Sequence, residues 1–168
     1  YATQQRTAPG STFKPISATA GLMEGVISLT ETINCVGLFD KVPTPPSCWN
    51  RHGHGPLNVT GGIQHSCNWF FYEVGYRMSI VGDSYNDSVG LQKLAKYADM
   101  YGLSETSGVE IEEYAPDVSD LDAVRSAIGH GTNDYTTAGL ARYVTTVANS
   151  GTCYNLTLVD KGEDQSGE

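Results

Sequence analysis

Four segments in which apolar residues recur every three or four positions constrain the fold of this chain most strongly. Apolar side chains at that spacing share one face of a helix, so the pattern predicts helices over residues 11–23, 69–78, 91–101 and 136–148. The side chains expected to face the core are Phe13, Ile16, Ala20 and Met23 in the first helix, Phe70, Phe71, Val74 and Met78 in the second, Leu91, Leu94, Ala95 and Ala98 in the third, and Leu140, Ala141, Val144 and Val147 in the last.

Signals for β-structure are few. Only the segments "GVEIEE" (108–113) and "YNLTLVD" (154–160) look like strands. With 168 residues, of which 39% are hydrophobic, the chain is most simply one domain, residues 1–168, with a core of its own. We therefore predict a helix-rich α+β fold that forms one lobe of a larger α+β architecture.

The net charge indicates which partners the chain can bind, and its two ends indicate whether it is a whole protein. The formal net charge of −9 at pH 7 argues against nucleic acid or an anionic membrane surface as a partner. No apolar run reaches the length of a membrane-spanning helix. Tyr1 stands only a short way ahead of the first helix, and the closing segment "VDKGEDQSGE" (159–168) resembles a hairpin turn without its return strand. We therefore expect the chain to be a fragment of a longer protein.

A long connection, residues 34–62, separates the first two helices and is rich in glycine, proline and turn-forming residues. A loop of this length within a compact domain usually has a function or is held by a specific device. Thr60 is expected to cap a short helix that runs toward His65. Three of the four cysteines lie in or beside this loop: Cys35, Cys48 and Cys67.

Ser11 and Lys14, in the stretch "APGSTFKP" (8–15), form the first candidate catalytic pair. Residues three apart share a helix face, and a serine nucleophile needs a neighbouring base. The positive end of the helix dipole, together with burial, would favour the neutral form of Lys14, which can take the hydroxyl proton. The backbone N–H of Ser11 could also stabilise an oxyanion. On spacing alone, the alternative is a surface serine and lysine on an ordinary helix.

Ser66 and Asn68, in "HSCNWFF", form a second candidate pair. In an extended loop residues two apart point the same way, so these two side chains are expected on one side and Cys67 on the other. A hydroxyl and an amide on one side suit proton relay and hydrogen bonding to a substrate. The alternative is a helix cap followed by a polar residue.

Together, "PGSTFKP", "SCN" and "AIGHG…YTTAGLARYVTTVANSG" resemble the transpeptidase domain of the penicillin-binding proteins, and within it the class B, elongation-type (PBP2-like) enzymes. Ser11 and Lys14 meet the family's S-x-x-K motif, and Ser66 and Asn68 meet its S-x-N motif. The segment 127–151 resembles the helix that buttresses the serine helix. The family's third motif, K-T-G or K-S-G, is missing, since Lys161 and Gly162 lack the hydroxyl residue. The resemblance thus implies the helical lobe of the penicillin-binding protein and serine β-lactamase-like fold with part of the sheet missing, in a fragment that is inactive alone.

The resemblance also implies a function for the parent protein. It would be a serine-type D-Ala-D-Ala transpeptidase that cross-links peptidoglycan stem peptides, is trapped by β-lactams and needs no catalytic cofactor. Ser11 would be the nucleophile, Lys14 the general base and Ser66 the proton shuttle, while Asn68 would bind the substrate amide and hold Lys14. A membrane glycosyltransferase partner is expected, with the domain on the extracytoplasmic face of the bacterial membrane and its anchor outside this segment.

Cys35, Cys48, His54 and Cys67 match a tetrahedral structural zinc set of three thiolates and an imidazole. The resemblance points to a metal in this loop, with His54 and Cys67 among its ligands, and His52 is the substitute for His54. A Cys35–Cys48 disulfide and a set of free thiols are the alternatives. Cys153 is expected to be buried after the last helix, apart from this group.

Two other functions remain open on the sequence. A penicillin-sensing domain or a serine β-lactamase also has S-x-x-K, although a class A β-lactamase would need a deacylating glutamate loop, which we do not find. The second alternative is a non-enzymatic, metal-stapled module that binds a partner.

His130, in "IGHG", is expected to be a polar structural residue near the cleft and not a general base.

Overall fold

The computed structural model describes residues 1–160 and Gly162. Within this part of the chain there are six α-helices, which are α1 (Lys14–Met23), α2 (Val59–Gln64), α3 (Asn68–Met78), α4 (Asp87–Met100), α5 (Ala123–Ser126) and α6 (Thr137–Ala148). The strands are short: β1 (Arg6–Thr7), β2 (Ile33–Cys35), β3 (Gly55–Leu57), β4 (Ile80–Val81), β5 (Ser84–Tyr85) and β6 (Tyr135–Thr136). This is a helix-rich mixed fold, as predicted. None of the helices described is both long enough and apolar enough to cross a membrane.

Helix α1 lies at the centre of the packing. It contacts both α3 and α4, and α5 packs against the same two helices. Gly75 allows the closest approach of α3 to α5, because a Cβ atom at this position would lie only 2.6 Å from the carbonyl oxygen of Ala123. The apolar faces predicted for the first three helices enter this core, with Ile16, Phe71 and Ala98 fully buried. Met23 is the exception and is exposed at the end of α1.

The strands form three separate antiparallel pairs and not one sheet. β1 pairs with β6, Arg6 opposite Thr136, which joins the start of the chain to the start of α6. β2 pairs with β3, and β4 with β5 in a hairpin ahead of α4. Little sheet therefore accompanies the helices in the described residues.

The two predicted strands at 108–113 and 154–160 are wrong, because both segments are irregular. In these segments the donors bond to side-chain carboxylates and not to the backbone of a neighbouring strand. Glu110 accepts from the backbone N–H of Leu158 at 2.8 Å and from the Thr157 hydroxyl. Glu113 accepts from the backbone N–H of Ser107 at 2.7 Å. The predicted turn at 159–168 lies mostly outside the described residues.

The predicted inner face of α6 is also wrong. Val144 and Val147 are 53% and 44% exposed, while Arg142 and Tyr143 are buried. The Tyr143 hydroxyl donates to the carbonyl oxygen of Thr12 at 2.8 Å. The Arg142 guanidinium is buried because backbone carbonyls, including that of Tyr154 at 2.9 Å, and the Glu105 carboxylate at 2.8 Å satisfy it. Specific polar partners thus decide which face of α6 turns inward.

The long loop is more ordered than its composition indicates. The β2–β3 pair closes it at its base, and the backbone N–H of Cys48 donates to the carbonyl oxygen of Gly37 at 2.7 Å. A short helix does follow, but Asn58 and not Thr60 caps it, accepting from the backbone N–H of Gly61 at 2.9 Å. The loop therefore enters α2, and then α3, at a defined angle.

Candidate active site

Ser11 and Lys14 meet as the sequence predicts. Ser11 lies in a 3-10 turn, Gly10–Phe13, that continues directly into α1, which begins at Lys14. The Nζ atom of Lys14 lies 2.9 Å from the Oγ atom of Ser11. Ser11 is exposed, whereas only 2% of Lys14 is exposed. A surface hydroxyl is thus held against a buried amine.

The segment that precedes α6 supports this turn from behind. The backbone N–H of Gly10 donates to the carbonyl oxygen of Gly129 at 3.1 Å. Gly129 has φ +76°, and a Cβ atom there would lie 2.1 Å from the carbonyl oxygen of Gly10, so this contact requires glycine. The Ser17 hydroxyl donates to the carbonyl oxygen of Ala127 at 2.7 Å. The region predicted to buttress the serine helix does contact it.

Ser66 and Asn68 also reach Lys14. The Nζ atom of Lys14 lies 2.6 Å from Oδ1 of Asn68, and 3.0 Å from Oγ and 2.8 Å from the carbonyl oxygen of Ser66. The Oγ atoms of Ser66 and Ser11 are 2.9 Å apart. The structure therefore brings all four predicted catalytic residues to one point.

The backbone at this point differs from the predicted extended loop. Ser66 is left-handed, with φ +48°, and Asn68 is the first residue of α3. Cys67 lies between them as the N-cap of α3, where its sulfur accepts from the backbone N–H of Phe70 at 3.4 Å. The side chain of Cys67 does point away from the pair, but a turn entering a helix, and not strand alternation, sends it there.

Lys14 is placed to act as a base. Burial lowers the pKa of Lys14 to about 8, although ionised Cys67 and Cys48 would raise it. The Ser66 carbonyl and Asn68 Oδ1 only accept hydrogen bonds, so a neutral amine spends its two N–H groups on them. Its lone pair then faces the hydroxyl of Ser11. This arrangement can remove a proton from Ser11 as the oxygen attacks a substrate.

The cysteine cluster lies directly behind this site. The candidate ligand atoms of Cys35, Cys48, His54 and Cys67 all lie within 4.8 Å of one another. Nδ1 of His54 is 3.6 Å from Sγ of both Cys35 and Cys48, and Sγ of Cys48 is 3.9 Å from Sγ of Cys67. In a tetrahedral zinc site the bonds are about 2.3 Å to sulfur and about 2.0 Å to nitrogen. The ligand atoms are then about 3.6 Å apart for nitrogen to sulfur and about 3.8 Å apart for sulfur to sulfur. Three separations match these values, and because none exceeds 4.8 Å, small side-chain rotations would bring all four residues onto a zinc ion. Exposed His52 is not part of the cluster.

Local structure assembles this cluster. The β2–β3 register sets Cys35 opposite Gly55, next to His54. Burial opposes ionisation of Cys48, yet backbone N–H groups, that of Trp69 first among them, lower its pKa overall. Burial lowers the pKa of His54, which favours the neutral imidazole that binds metals. Burial raises the pKa of the Cys67 thiol. Cys35 and Cys48 are free thiols in this structure and not a disulfide.

Trp49 is a neighbour of the site that the sequence analysis missed. Its indole Nε1 donates to the carbonyl oxygen of Ser66 at 3.1 Å. An aromatic residue beside Cys48 in a polar loop was the available signal. His130 is exposed, and Cys153 is half-buried, not buried.

Comparison with known proteins identifies the family. Residues 1–168 match the penicillin binding protein transpeptidase domain. The chain is 31% identical over 114 residues to the peptidoglycan D,D-transpeptidase MrdA of Escherichia coli (strain K12), covering 67% of this chain and 16% of that protein. It is 24% identical over 159 residues to penicillin-binding protein 2B of Streptococcus pneumoniae (strain D39), covering 85% of this chain and 23% of that protein. The chain thus spans less than a quarter of the length of either relative.

Solved structures have the same fold. A chain of a peptidoglycan synthase complex superposes with a TM-score of 0.83 at 27% identity, covering 95% of this chain and 28% of that one. Penicillin-binding protein A of M. tuberculosis, as a ceftriaxone acyl-enzyme, gives a TM-score of 0.82 at 21% identity, covering 99% of this chain and 37% of that one. These likenesses confirm the predicted fold, the helix-rich lobe of a transpeptidase with few strands. The chain therefore belongs to the penicillin-binding protein transpeptidase family and is PBP2-like within it.

Proposed function

We propose that the parent protein of this chain is a peptidoglycan D,D-transpeptidase that works through an acyl-serine intermediate. The observation that carries the proposal is the convergence of Ser11, Ser66 and Asn68 on the buried amine of Lys14, with contacts of 2.6 to 3.0 Å. The similarity to a protein named as a peptidoglycan D,D-transpeptidase supports the same reaction class.

The proposed acylation step follows from these contacts. Ser11 Oγ attacks the carbonyl carbon of the penultimate D-alanine of a stem peptide, while Lys14 takes the hydroxyl proton. The backbone N–H of Ser11 is a donor for the resulting oxyanion. The Ser66 hydroxyl relays the proton to the leaving nitrogen, the C–N bond breaks, and the terminal D-alanine departs. The acyl group is left as an ester on Ser11.

The second half of the reaction reverses these roles. The amine of a neighbouring stem peptide attacks the ester, loses a proton toward Lys14, and expels the Ser11 oxygen, which regains its proton. The new amide is the cross-link. Asn68 holds Lys14 and offers its amide N–H₂ to the substrate amide. Because no K-T-G motif occurs in the chain, we propose that this activity belongs to the parent and that residues 1–168 alone are inactive.

We further propose the setting of this reaction. β-Lactams would acylate Ser11 in place of the stem peptide, as the acyl-enzyme form of a structural relative illustrates for that protein. A membrane glycosyltransferase is the proposed partner, which the similarity to a peptidoglycan synthase complex supports. The proposed location is the extracytoplasmic face of a bacterial membrane, with the anchor in another part of the parent.

We also propose a structural zinc ion held by Cys35, Cys48, His54 and Cys67. When bound, the ion would supply a rigid cross-link between the long loop and the N-terminus of α3. Cys67 is flanked by Ser66 and Asn68, so fixing its sulfur also fixes the backbone that presents both polar side chains. The sulfur and nitrogen separations support this assignment, as does the neutral form favoured at His54. Metal analysis of protein kept under reducing conditions tests it. Absence of zinc, together with a mass two hydrogens lighter in protein kept free of reductant and a peptide map that links Cys35 to Cys48, would identify the Cys35–Cys48 disulfide instead.

Mass spectrometry of the full-length parent after penicillin treatment tests the enzymatic proposal. We expect a covalent adduct on Ser11 that is absent in Ser11→Ala. The matched control is Ser17→Ala, which removes a buried serine hydroxyl on the same helix that donates to the Ala127 carbonyl and not to the site. Rapid turnover of the adduct would indicate a β-lactamase. A stable adduct on a parent that has no cross-linking activity would indicate a penicillin sensor. A zinc-containing parent that is never labelled would indicate the non-enzymatic module.

A further inference from the structure

Trp49 is an exposed aromatic residue that contacts the backbone of the candidate active site. The residue is 62% exposed, yet its indole N–H is engaged by the backbone of the candidate active site. Nε1 lies 3.1 Å from the carbonyl oxygen of Ser66 and 3.3 Å from that of His65. The ring also meets the His54 ring edge-on, with centroids 4.9 Å apart and planes at 71°. An exposed indole is therefore held in one orientation against Ser66.

The Ser66 carbonyl that Trp49 contacts belongs to a conformationally unusual residue. A non-glycine residue at φ +48° persists only where its surroundings hold it. The backbone N–H of Ser66 donates to the carbonyl oxygen of Ile63 at 3.0 Å, and the carbonyl oxygen accepts from Lys14 and from Trp49. A carbonyl oxygen has two lone pairs, so one serves each donor. The indole therefore helps to set the plane of the peptide group that follows Ser66.

The direction of this carbonyl decides how the Lys14 amine is oriented. A neutral amine has two N–H groups, and the partners of Nζ that cannot donate are Asn68 Oδ1 at 2.6 Å and the Ser66 carbonyl at 2.8 Å. With both N–H groups used there, the lone pair is left for a hydroxyl, that of Ser11 at 2.9 Å or of Ser66 at 3.0 Å. Because the Ser66 hydroxyl donates to Ser11 Oγ at 2.9 Å, the lone pair faces Ser11. If the Ser66 peptide group turned, Lys14 would lose one acceptor and its lone pair would no longer be directed at the nucleophile.

We propose that Trp49 is a positioning residue for acyl transfer, whose indole N–H holds the Ser66 carbonyl and thereby aims the Lys14 amine at Ser11. This inference rests on the proposed function of the parent, since it concerns the same nucleophile and base. Trp49 acts through Ser66, so its loss should slow the chemical step and leave penicillin binding and zinc content unchanged.

The test measures acylation of the full-length parent by a fluorescent penicillin, with the maximal rate constant separated from the apparent dissociation constant. For Trp49→Phe we expect the maximal rate constant to fall about three- to tenfold, the loss typical of one neutral hydrogen bond. The apparent dissociation constant, the zinc content and the melting temperature should stay near wild type. An unchanged maximal rate constant overturns the inference.

Two further variants separate positioning from folding. Trp69→Phe is the matched control, because that indole donates to the carbonyl oxygen of Leu38 at 3.0 Å, within the core and not to Ser66. We expect a lower melting temperature with an unchanged maximal rate constant; equal slowing in both variants overturns the inference. Benzothienylalanine at position 49 keeps the ring shape and replaces N–H by sulfur. It should be as slow as Trp49→Phe, and a wild-type rate would again overturn the inference.

The two proposals fail in different ways. A wild-type parent that penicillin never labels at Ser11 overturns the proposed function and this inference together. A labelled wild type whose Trp49 variants react at the same rate overturns the inference alone.

Discussion

The rate of penicillin acylation should depend on pH through the protonation of Lys14. A general base must be neutral to accept a proton, and burial lowers the pKa of Lys14 to about 8. A group of this pKa is neutral in about 1% of molecules at pH 6, about 10% at pH 7, about half at pH 8 and about 90% at pH 9. The sign follows directly: the reactive form is gained as the pH rises. The maximal acylation rate constant should therefore increase about tenfold from pH 6 to 7, about fivefold from pH 7 to 8, and less than twofold above.

Stopped-flow acylation of the full-length parent by a fluorescent penicillin measures this profile between pH 6 and 9. Melting temperatures recorded at each pH show that the protein remains folded over the range. Lys14→Met is the control, because it keeps a long side chain in the buried position and removes the base. Its residual rate should be low and should lack the increase centred near pH 8.

Three results would refute the reasoning. A rate constant that still rises about tenfold per pH unit at pH 9, as expected for the ordinary lysine pKa of about 10.4, would mean that the burial seen at Lys14 does not favour the neutral amine. A profile that stays flat between pH 6 and 8 in the wild type, or an increase that persists in Lys14→Met, would place the titrating group elsewhere.

Three further predictions concern single side chains. Asn68→Ala removes the acceptor 2.6 Å from Lys14 Nζ and should slow acylation about tenfold or more, as seen by fluorescent penicillin; an unchanged rate would contradict its role in holding the amine. Glu73→Gln neutralises a carboxylate of 5% side-chain exposure that pairs with the partly exposed cations of Lys41 and Arg77. The free energy of unfolding, measured in urea, should fall by about 2–3 kcal/mol. An unchanged free energy would show that the two ion pairs are dispensable. Cys35→Ser should reduce the zinc content from about one ion per protein to near zero. Cys153 lies outside the cluster, so Cys153→Ser should leave the zinc content unchanged. Equal metal loss in both variants would contradict the assigned ligands.

Much of the helical framework is readable from the sequence. The predicted helices at 69–78 and 136–148 correspond to α3 (Asn68–Met78) and α6 (Thr137–Ala148) within one residue at each end. Helical spacing and glycine stops are local signals, and they specify an element without reference to the rest of the chain. The Ser11–Lys14 contact has the same origin, since residues three apart meet on any helical turn.

Other parts of the prediction were right for incomplete reasons or were wrong. Cys67 does point away from Ser66 and Asn68, but through a left-handed turn and not through strand alternation. The apolar pattern of α6 predicts a buried face through Val144, yet buried hydrogen bonds made by Arg142 and Tyr143 turn the other face inward. Apolar periodicity cannot anticipate a buried polar group whose partners lie on distant segments.

By itself, the sequence determined the four longest helices to within about one turn, but not α5, together with the family motifs and the contact within one turn between Ser11 and Lys14. The family resemblance anticipated that Ser66 and Asn68, 52 and 54 residues beyond Lys14, belong to the same site, but it is the tertiary structure that brings them to its amine. It also decided that three sulfurs and an imidazole gather behind them, and that Trp49 holds the Ser66 carbonyl. The physical reason is range: spacing along a helix specifies contacts a few residues apart, while contacts between distant segments depend on how the intervening loop closes and on which buried polar groups find partners.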